Sequence, residues 1–208
     1  MEIIGVTKNV FNFLRDKIIS EELKPGQKLN ELNISKEINV SRPPIREAFR
    51  LLENERLVIN IPRKGTYVIE TSKEDLEYVY QVREMIECYA IDLLEIKNIR
   101  DLPAVESSNK DIPLENPINK LHSFKKLIEF HTKLVEASGN HLLIHFYQSL
   151  HSSMARYQFK FAQLPSLRHG SEEDHLKIIE YIKEEKYSGA KDLLRTHIRR
   201  FKSIFDEK

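Results

Sequence analysis

The amino-acid sequence predicts a mainly α-helical protein with two domains: a small N-terminal domain of three helices and a hairpin, and a C-terminal antiparallel all-α bundle. The chain has 208 residues, which is enough for two cores of ordinary size. It contains only 6 glycines, and over most of its length apolar residues recur at helical spacing. The pattern becomes that of short strands only within residues 57–70. A new helical pattern begins with "ETSKEDLE", so we predict domains at 1–70 and 71–208.

Three helices and a hairpin follow one another in the first domain. We expect a first helix with Thr7 as its N-cap, ending before "KPG" at 24–26, and a short second helix ending near Asn39. Ser41 is expected to cap the third helix. "PRKG", residues 62–65, separates two short β-branched runs and suits the tight connection of a hairpin. This order of elements is that of a winged helix-turn-helix domain.

The third helix has two faces of different composition. Arg42, Arg46 and Arg50 recur at four-residue intervals and form a basic stripe, while the apolar residues between them face the core. Pro43 and Pro44 lie in the first turn, where their missing N–H groups would lack helical partners anyway. Such a helix can place its N-terminal part in the major groove of double-stranded DNA, where arginine binds guanine bidentately. The alternative is a solvated basic face, diluted by nearby glutamates.

The hairpin tip carries two cations beside a glycine, namely Arg63, Lys64 and Gly65. These residues could follow the phosphates or reach a minor groove. The chain as a whole has 33 basic and 32 acidic residues, so a DNA-binding surface must be a local patch.

From residue 71 to the C-terminus the pattern is helical. Thr71 or Ser72 can cap a long first helix, and the polar, proline-containing segment 97–118 gives at most one weak helix. The next helix is expected to end at Gly139 with a left-handed C-cap. Three further helices are expected over the ranges 141–164, 171–185 and 188–205.

Three histidines lie within apolar helical stripes of the second domain: His131, His175 and His197. Imidazoles from three helices that converge in a bundle would form an open three-nitrogen site. Such a site suits Zn²⁺ or Ni²⁺ and leaves positions for water or for the carboxylate of an effector. From the spacing alone, three core histidines with unrelated partners are the simpler interpretation.

Residues 24–68, "KPGQKLNELNISKEINVSRPPIREAFRLLENERLVINIPRKGTYV", resemble the DNA-binding domain of GntR-type transcription regulators. "YQVREMIE", residues 80–87, and the later histidines are similar to the FadR subgroup, whose second domain is an all-helical, ligand-sensing FCD domain. The resemblance implies a homodimer on a short palindrome, with DNA contacts from Arg42, Arg46, Arg50 and the wing at Lys64 and Gly65; we add Ser41 and Arg63 as candidates. Pro43 replaces a residue that is commonly threonine, and Phe49 replaces the usual leucine.

The resemblance also bears on the histidines, because FadR-type domains commonly hold a metal through an aspartate and later histidines. His131, His175 and His197 match three of these positions, and the last two are 22 residues apart as in the pattern. Leu127 stands where the aspartate is expected, and Glu129 should lie on nearly the opposite helix face. A metal at this site would therefore lack the anionic ligand and offer one more position to water or an effector.

Two arginines are candidates for binding an effector carboxylate. Arg83 and Glu87 lie one helical turn apart, which suits an ordinary intrahelical ion pair. The alternative, suggested by acid-sensing relatives of the FadR type, is that Arg83 faces the bundle centre and receives a carboxylate bidentately. Arg156, with Tyr157 beside it, is the second candidate, and a solvated surface position is its alternative.

The predicted function is that of a cytoplasmic, dimeric transcription regulator, repressor or activator, that binds duplex DNA and responds to a small organic acid. The single cysteine, Cys88, cannot form an internal disulfide, and the N-terminal sequence has neither a signal peptide nor a membrane span. An enzyme is a competing function, since a metal held by three histidines could activate water. Glu173 and Asp174 adjoin His175 in the sequence but need not face the site, and no other residue is an unmistakable general base, so we expect no enzymatic activity. A helical scaffold with an incidental basic face is the remaining alternative.

Overall fold

The computed structural model describes residues 2–70, 72–102, 117–162 and 165–203, and the chain divides into two compact units at residues 1–72 and 73–208. The N-terminal unit contains α1 (Glu2–Ile19), β1 (Lys28–Leu29), α2 (Glu31–Ile38), α3 (Arg42–Asn54), β2 (Val58–Ile61) and β3 (Gly65–Val68). The C-terminal unit contains α4 (Lys73–Ile96), α5 (Pro117–Ala137), α6 (His141–Ala162), α7 (Pro165–Lys183) and α8 (Tyr187–Ser203). The mainly α fold with an N-terminal winged helix-turn-helix is confirmed.

Local signals define the helix-turn-helix. The Oδ1 atom of Asn30 accepts hydrogen bonds from the backbone N–H groups of Leu32 and Asn33 and so caps the start of α2. Asn39 ends α2 with φ +52°, a left-handed conformation that asparagine tolerates better than most residues. The apolar faces of these helices and of the wing pack into one core, formed by Val10, Phe11, Leu14, Ile18, Leu29, Ile34, Ile45, Ala48, Phe49, Leu52, Leu57, Val58 and Val68.

The wing is a three-stranded antiparallel sheet rather than the predicted two-stranded hairpin. Strand β3 lies in the middle and pairs with β2 on one side and with β1 on the other. Because β1 has only two residues, its sequence shows no alternation from which a strand could be predicted. The short strand places Lys28 on the wing, directly opposite Tyr67.

Two predictions about helix starts are wrong. Helix α1 begins at Glu2, so Thr7 is not its N-cap but a buried residue inside the helix. Helix α7 begins at Pro165, six residues before the predicted 171, with proline in the first helical position, where its missing N–H is tolerated.

The C-terminal unit is built around apolar stripes of its five described helices. Its main cluster comprises Leu76, Tyr80, Cys88, Ile91, Leu94, Phe130, Leu134, Ile178, Ile182, Tyr187, Ala190, Leu194 and Ile198. Gly139 follows α5 with φ +65°, the left-handed conformation predicted there. Burial raises the pKa of the Cys88 thiol to about 11, which keeps it protonated at neutral pH.

Two predictions lie outside the described residues. The structure describes the segment 97–118 only at 97–102 and in the backbone of 117–118. It does not describe Thr71, for which a capping role was predicted. Of the helices that the structure describes, none is long and apolar enough to cross a membrane.

Candidate functional site

The predicted basic stripe of α3 lies on the surface. The side chains of Arg42, Arg46 and Arg50 are 53%, 57% and 76% exposed. On the opposite face of the helix, Ile45 and Leu52 are completely buried in the core of the N-terminal unit. The helix is therefore fixed to the domain through its apolar face and presents its guanidinium groups outward.

Ser41 occupies the N-cap position of α3, but its side chain makes no capping hydrogen bond, contrary to the prediction. A capping side chain accepts a hydrogen bond from the N–H group of the second or third helical residue. In α3 these residues are Pro43 and Pro44, which have no N–H group. The Ser41 hydroxyl is thus not engaged in capping and lies exposed at the tip of the helix.

A cleft of about 600 Å³ lies between the starts of α2 and α3 and the wing, and Arg42, Arg63, Lys64 and Gly65 all line it. Gly65 has φ +107°, a conformation that favours glycine, and an added Cβ would lie only 3.2 Å from Cε of Lys28. The structure thus brings the three predicted wing residues together with Arg42 of α3, whereas Ser41, Arg46 and Arg50 do not line this cleft. The same cleft is also lined by Lys28, Asn30, Glu31 and Asn60, which the sequence analysis did not single out.

One carboxylate contacts two of the predicted DNA-binding arginines. Glu31 Oε2 accepts hydrogen bonds from Arg42 Nε at 3.1 Å and from Arg42 Nη2 at 2.9 Å. Arg46 Nε donates to both carboxylate oxygens, at 3.1 Å to Oε1 and 2.9 Å to Oε2. Partial burial would raise the pKa of Glu31, but the two arginines outweigh it and hold this pKa below its ordinary value. Glu31 is therefore ionised at neutral pH.

In the C-terminal unit the three predicted histidines, one each from α5, α7 and α8, converge in the interior. Nε2 of His175 lies 3.1 Å from Nε2 of His131 and 3.3 Å from Nε2 of His197, and the remaining pair is 3.2 Å apart. All three side chains are buried. The interpretation as three unrelated core histidines therefore does not describe this structure, because the same ring nitrogen of each histidine points to one common centre.

Carboxylates fix the orientation of two of these rings. Glu87 Oε2 lies 2.7 Å from Nδ1 of His131, and Asp174 Oδ2 lies 3.1 Å from Nδ1 of His197. An ionised carboxylate only accepts hydrogen bonds, so in each case Nδ1 carries the proton and donates it. In the neutral rings the Nε2 lone pairs of His131 and His197 then face each other with no proton between them.

The histidines are held in the neutral form that binds metals. Burial is the largest influence on each: it lowers the pKa of His131 to about 3, with Arg83 adding to the effect, and it also lowers the pKa of His175 and of His197. Asp174 partly opposes the shift at His197. At neutral pH the Nε2 atoms of His131 and His197 therefore each present a lone pair to the centre.

The residues present fit a metal ion. Two metal–nitrogen bonds of about 2.0–2.1 Å that meet at an angle of about 90° (octahedral) to 109° (tetrahedral) place their nitrogens about 2.8–3.4 Å apart. The observed separations of 3.1–3.3 Å lie within this range. Opposed lone pairs are unfavourable without a cation, and carboxylates behind two of the histidines are a common arrangement around protein-bound metals.

Arg83 and Glu87 form the intrahelical ion pair, and Arg83 is also buried, as the alternative prediction had it; Glu87 is buried with it. Arg83 Nε donates to Glu87 Oε1 at 2.6 Å, and the Tyr147 hydroxyl donates to the same oxygen at 2.8 Å. Burial opposes ionisation of Glu87, yet Arg83 and His131 hold the pKa of Glu87 well below its ordinary value. One carboxylate therefore joins Arg83 to the histidine cluster through His131.

The Nη2 atom of Arg83 is buried and has no hydrogen-bond partner among the residues that the structure describes. A buried guanidinium with an unmatched donor is unfavourable unless another acceptor satisfies it. This atom is thus a candidate contact for a bound anion.

The remaining predicted positions are less informative. Arg156 lies in α6 and Leu127 in α5, but both side chains fall outside the described residues. Glu129 forms an ion pair with Lys133 at 2.7 Å. The Ser171 hydroxyl lies 3.4 Å from Nε2 of His175, a neighbour that the sequence analysis did not single out.

Two protein families match the chain, one for each unit. Residues 6–68 match the family described as bacterial regulatory proteins, gntR family. Residues 78–200 match the FCD domain, which accounts for more than half of the chain.

Relatives with curated names are transcription regulators, and a solved structure has the same fold. The HTH-type transcriptional regulator YdhC of Bacillus subtilis (strain 168) is 27% identical over 90% of this chain and 85% of its own length. The gluconate operon transcriptional repressor of Bacillus licheniformis is 35% identical, over 43% of this chain and 36% of the repressor. The structure of McbR/YncC from E. coli superposes with a TM-score of 0.68 at 19% identity, covers 96% of each chain and shows that the two share a fold.

Proposed function

This chain belongs to the GntR family of bacterial transcription regulators and carries an FCD domain, and on that premise we propose that it binds duplex DNA as a homodimer under the control of a small carboxylate and a metal ion. In this proposal α3 enters the major groove and the wing follows the neighbouring phosphates. The family and the curated relatives are transcription regulators, so we assign regulation rather than catalysis to the helical domain.

One observation above all supports DNA binding by α3. Its basic residues are exposed in a row on a helix whose other face is buried, and the cations of the wing line the same cleft as Arg42. We assign base contacts to Arg42, Arg46 and Arg50, and phosphate contacts to Ser41, Arg63, Lys64 and the backbone of Gly65. Arginine suits base recognition because its planar donor fork matches the acceptors of guanine.

The effector site proposed in the FCD domain lies at the buried cluster of histidines and Arg83. His131, His175 and His197 would hold the metal, for which Zn²⁺ and Ni²⁺ are the candidates. When bound, the metal would offer open coordination positions to water or to a carboxylate. Arg83 would direct its unmatched Nη2 donor at the same carboxylate, while Glu87 keeps Arg83 and His131 in place. Such a ligand changes DNA occupancy only by binding two arrangements of the protein with different affinities.

The metal assignment predicts the behaviour of His175→Ala. After incubation with Zn²⁺ and dialysis, the wild-type protein should retain about one ion per chain, because three pre-oriented imidazoles converge on one point. His175→Ala should bind Zn²⁺ more than about a hundredfold less tightly, since loss of a ligand exceeds the 10–100-fold effect of losing an outer carboxylate. Elemental analysis and competition with a chromophoric chelator measure both quantities.

His145→Ala is the matched control, because His145 is an exposed histidine on α6 and not one of the three convergent residues. It should retain metal as the wild-type protein does. Wild-type protein that binds neither Zn²⁺ nor Ni²⁺ after this treatment would end the metal assignment.

An exposed apolar stripe on α4 supports the homodimer. The stripe consists of Tyr78, Val82, Met85, Tyr89 and Ile96, which are between 38% and 72% exposed. Their spacing in steps of three, four and seven residues keeps them on one narrow face of the helix. Large apolar side chains in such a row are typical of an interface, and a twofold axis brings the same stripe of a second copy against it.

Met85→Glu should therefore dissociate the dimer. A charge in the middle of the stripe would be buried without a partner, so the weight-average mass in sedimentation equilibrium should fall from two chains towards one. Leu176→Glu changes an exposed leucine of α7, outside the stripe, and should remain dimeric. A wild-type protein that sediments as a monomer at micromolar concentration would refute this part of the proposal.

A further inference from the structure

We infer that Glu31 is a positioning residue that sets the DNA specificity of this chain: it orients Arg42 and Arg46 for base contacts and disfavours their use on phosphates. The inference rests on the proposed function, because it assumes that these two arginines contact DNA. Glu31 is not one of the DNA-contacting residues that the sequence analysis predicted.

The contacts are directional. Arg46 donates to Glu31 through Nε alone, so its two terminal amino groups at the end of the fork are not used by the carboxylate. Those two groups can form an end-on bidentate contact with the O6 and N7 atoms of guanine. Arg42 uses one N–H of Nε and one of Nη2 on Glu31, which leaves three N–H donors, two on Nη1 and the second on Nη2. The carboxylate thus engages the Nε side of both guanidinium groups and leaves the end of each fork for a base contact.

Because Glu31 already holds the two arginines, they lose less side-chain conformational entropy when they bind DNA. A free arginine side chain has many rotamers, and two arginines held by one carboxylate have lost part of this freedom before DNA arrives. Glu31 itself is held at the start of α2, where the N-terminal end of the helix favours a negative charge. Its side chain is only 27% exposed, less than either arginine.

The same carboxylate acts against non-specific binding. Two guanidinium groups and one carboxylate present a net charge of about +1 instead of +2 to the DNA backbone. A phosphate that approaches the arginines must displace Glu31 or lie close to its negative charge, and both are unfavourable. A guanine edge in the right position can instead bind the outward donors of Arg46 without displacing Glu31.

Arg50 shows that this arrangement is local. It does not contact Glu31 in the described structure and pairs instead with Glu47, three residues earlier on the same helix, at 3.2 Å. Ion pairs of that kind between exposed side chains contribute little and are easily exchanged for a phosphate. The shared carboxylate is therefore a feature of the helix tip, where Arg42 and Arg46 meet α2.

The test is Glu31→Gln in the full-length protein, which removes the charge and keeps the size of the side chain. Binding to a selected operator and to a random duplex of equal length is measured by fluorescence anisotropy over a range of KCl concentrations. We expect tighter binding to the random duplex, a salt dependence steeper by about one unit in the slope of log K against log [KCl], and a specificity ratio reduced by about tenfold.

Glu37→Gln is the matched control. Glu37 lies on the same helix and its removal changes the net charge by the same amount, but it pairs with Lys17 at 2.6 Å and not with the arginines of α3. Its specificity ratio should equal that of the wild-type protein. The inference is overturned if Glu31→Gln leaves the ratio unchanged, or if Glu37→Gln lowers it equally.

Failure of the inference and failure of the proposed function give different results. If the wild-type protein prefers its operator and Arg46→Ala removes the preference while Glu31→Gln does not, only the role of Glu31 is refuted. If the wild-type protein shows no preference for any duplex, the proposed function fails, and the inference fails with it.

Discussion

Arg46→Ala should lose operator selectivity while keeping its fold. Arg46 is 57% exposed and its helix is held by residues on the other face, so the substitution removes no core contact. A bidentate contact between arginine and guanine contributes about 1–3 kcal/mol of discrimination, or about 5–150-fold in the ratio of operator to random-duplex affinity. Anisotropy titrations with both duplexes measure this ratio, and circular dichroism confirms the fold.

Lys64→Ala is the informative comparison, because Lys64 lies at the wing and we assign it to a phosphate. It should weaken binding to both duplexes by a similar factor and reduce the slope of the salt dependence by about one unit. Operator selectivity that survives Arg46→Ala intact would show that another residue makes the base contact.

Glu87→Gln should lower the free energy of unfolding of the helical domain by about 3–5 kcal/mol. The substitution leaves the Arg83 guanidinium buried without its counter-charge and weakens the hydrogen bonds from Tyr147 and His131. Urea denaturation of chelator-treated protein measures the loss without any contribution from bound metal.

Two further variants show whether the loss of stability in Glu87→Gln comes from the uncompensated charge of Arg83 or from altered packing. Glu84→Gln breaks an ion pair with Arg199 at the surface of the same helix and should change stability by about 0–1 kcal/mol. The double variant Arg83→Met with Glu87→Gln should recover part of the lost stability, because no uncompensated charge remains in the interior. A loss below about 1 kcal/mol in Glu87→Gln alone would contradict the structural role assigned to this carboxylate.

In the N-terminal domain, sequence patterns predicted the structure correctly where one kind of residue recurs at a regular spacing along a single helix. The four-residue spacing of Arg42, Arg46 and Arg50 predicted an exposed face correctly, because helical periodicity decides which side chains share a side. The cap predicted for Ser41 failed for an equally local reason, since the residues that should donate to it are prolines. Strand β1 was not predicted because its two residues are too few to show the alternating pattern of a strand.

Contacts between elements could not be predicted in the same way. Glu31 meets Arg42 and Arg46 across 11 and 15 residues, a separation set by the turn between α2 and α3 and not by any repeat. The sequence suggested the pair of Arg83 and Glu87, but its burial depends on Tyr147 and His131, which are 60 and 44 residues away from Glu87. The convergence of the histidines likewise depends on how α5, α7 and α8 pack together.

The central claim is that the arginine row of α3 recognises bases in duplex DNA. Its most direct test is selection of wild-type protein on a pool of random duplexes at about 0.15 M salt, where non-specific attraction is screened. The enriched duplexes should share a short palindrome, as expected for two symmetry-related copies of α3 in successive major grooves. A pool that shows no common motif, with binding lost uniformly as salt rises, would contradict the claim.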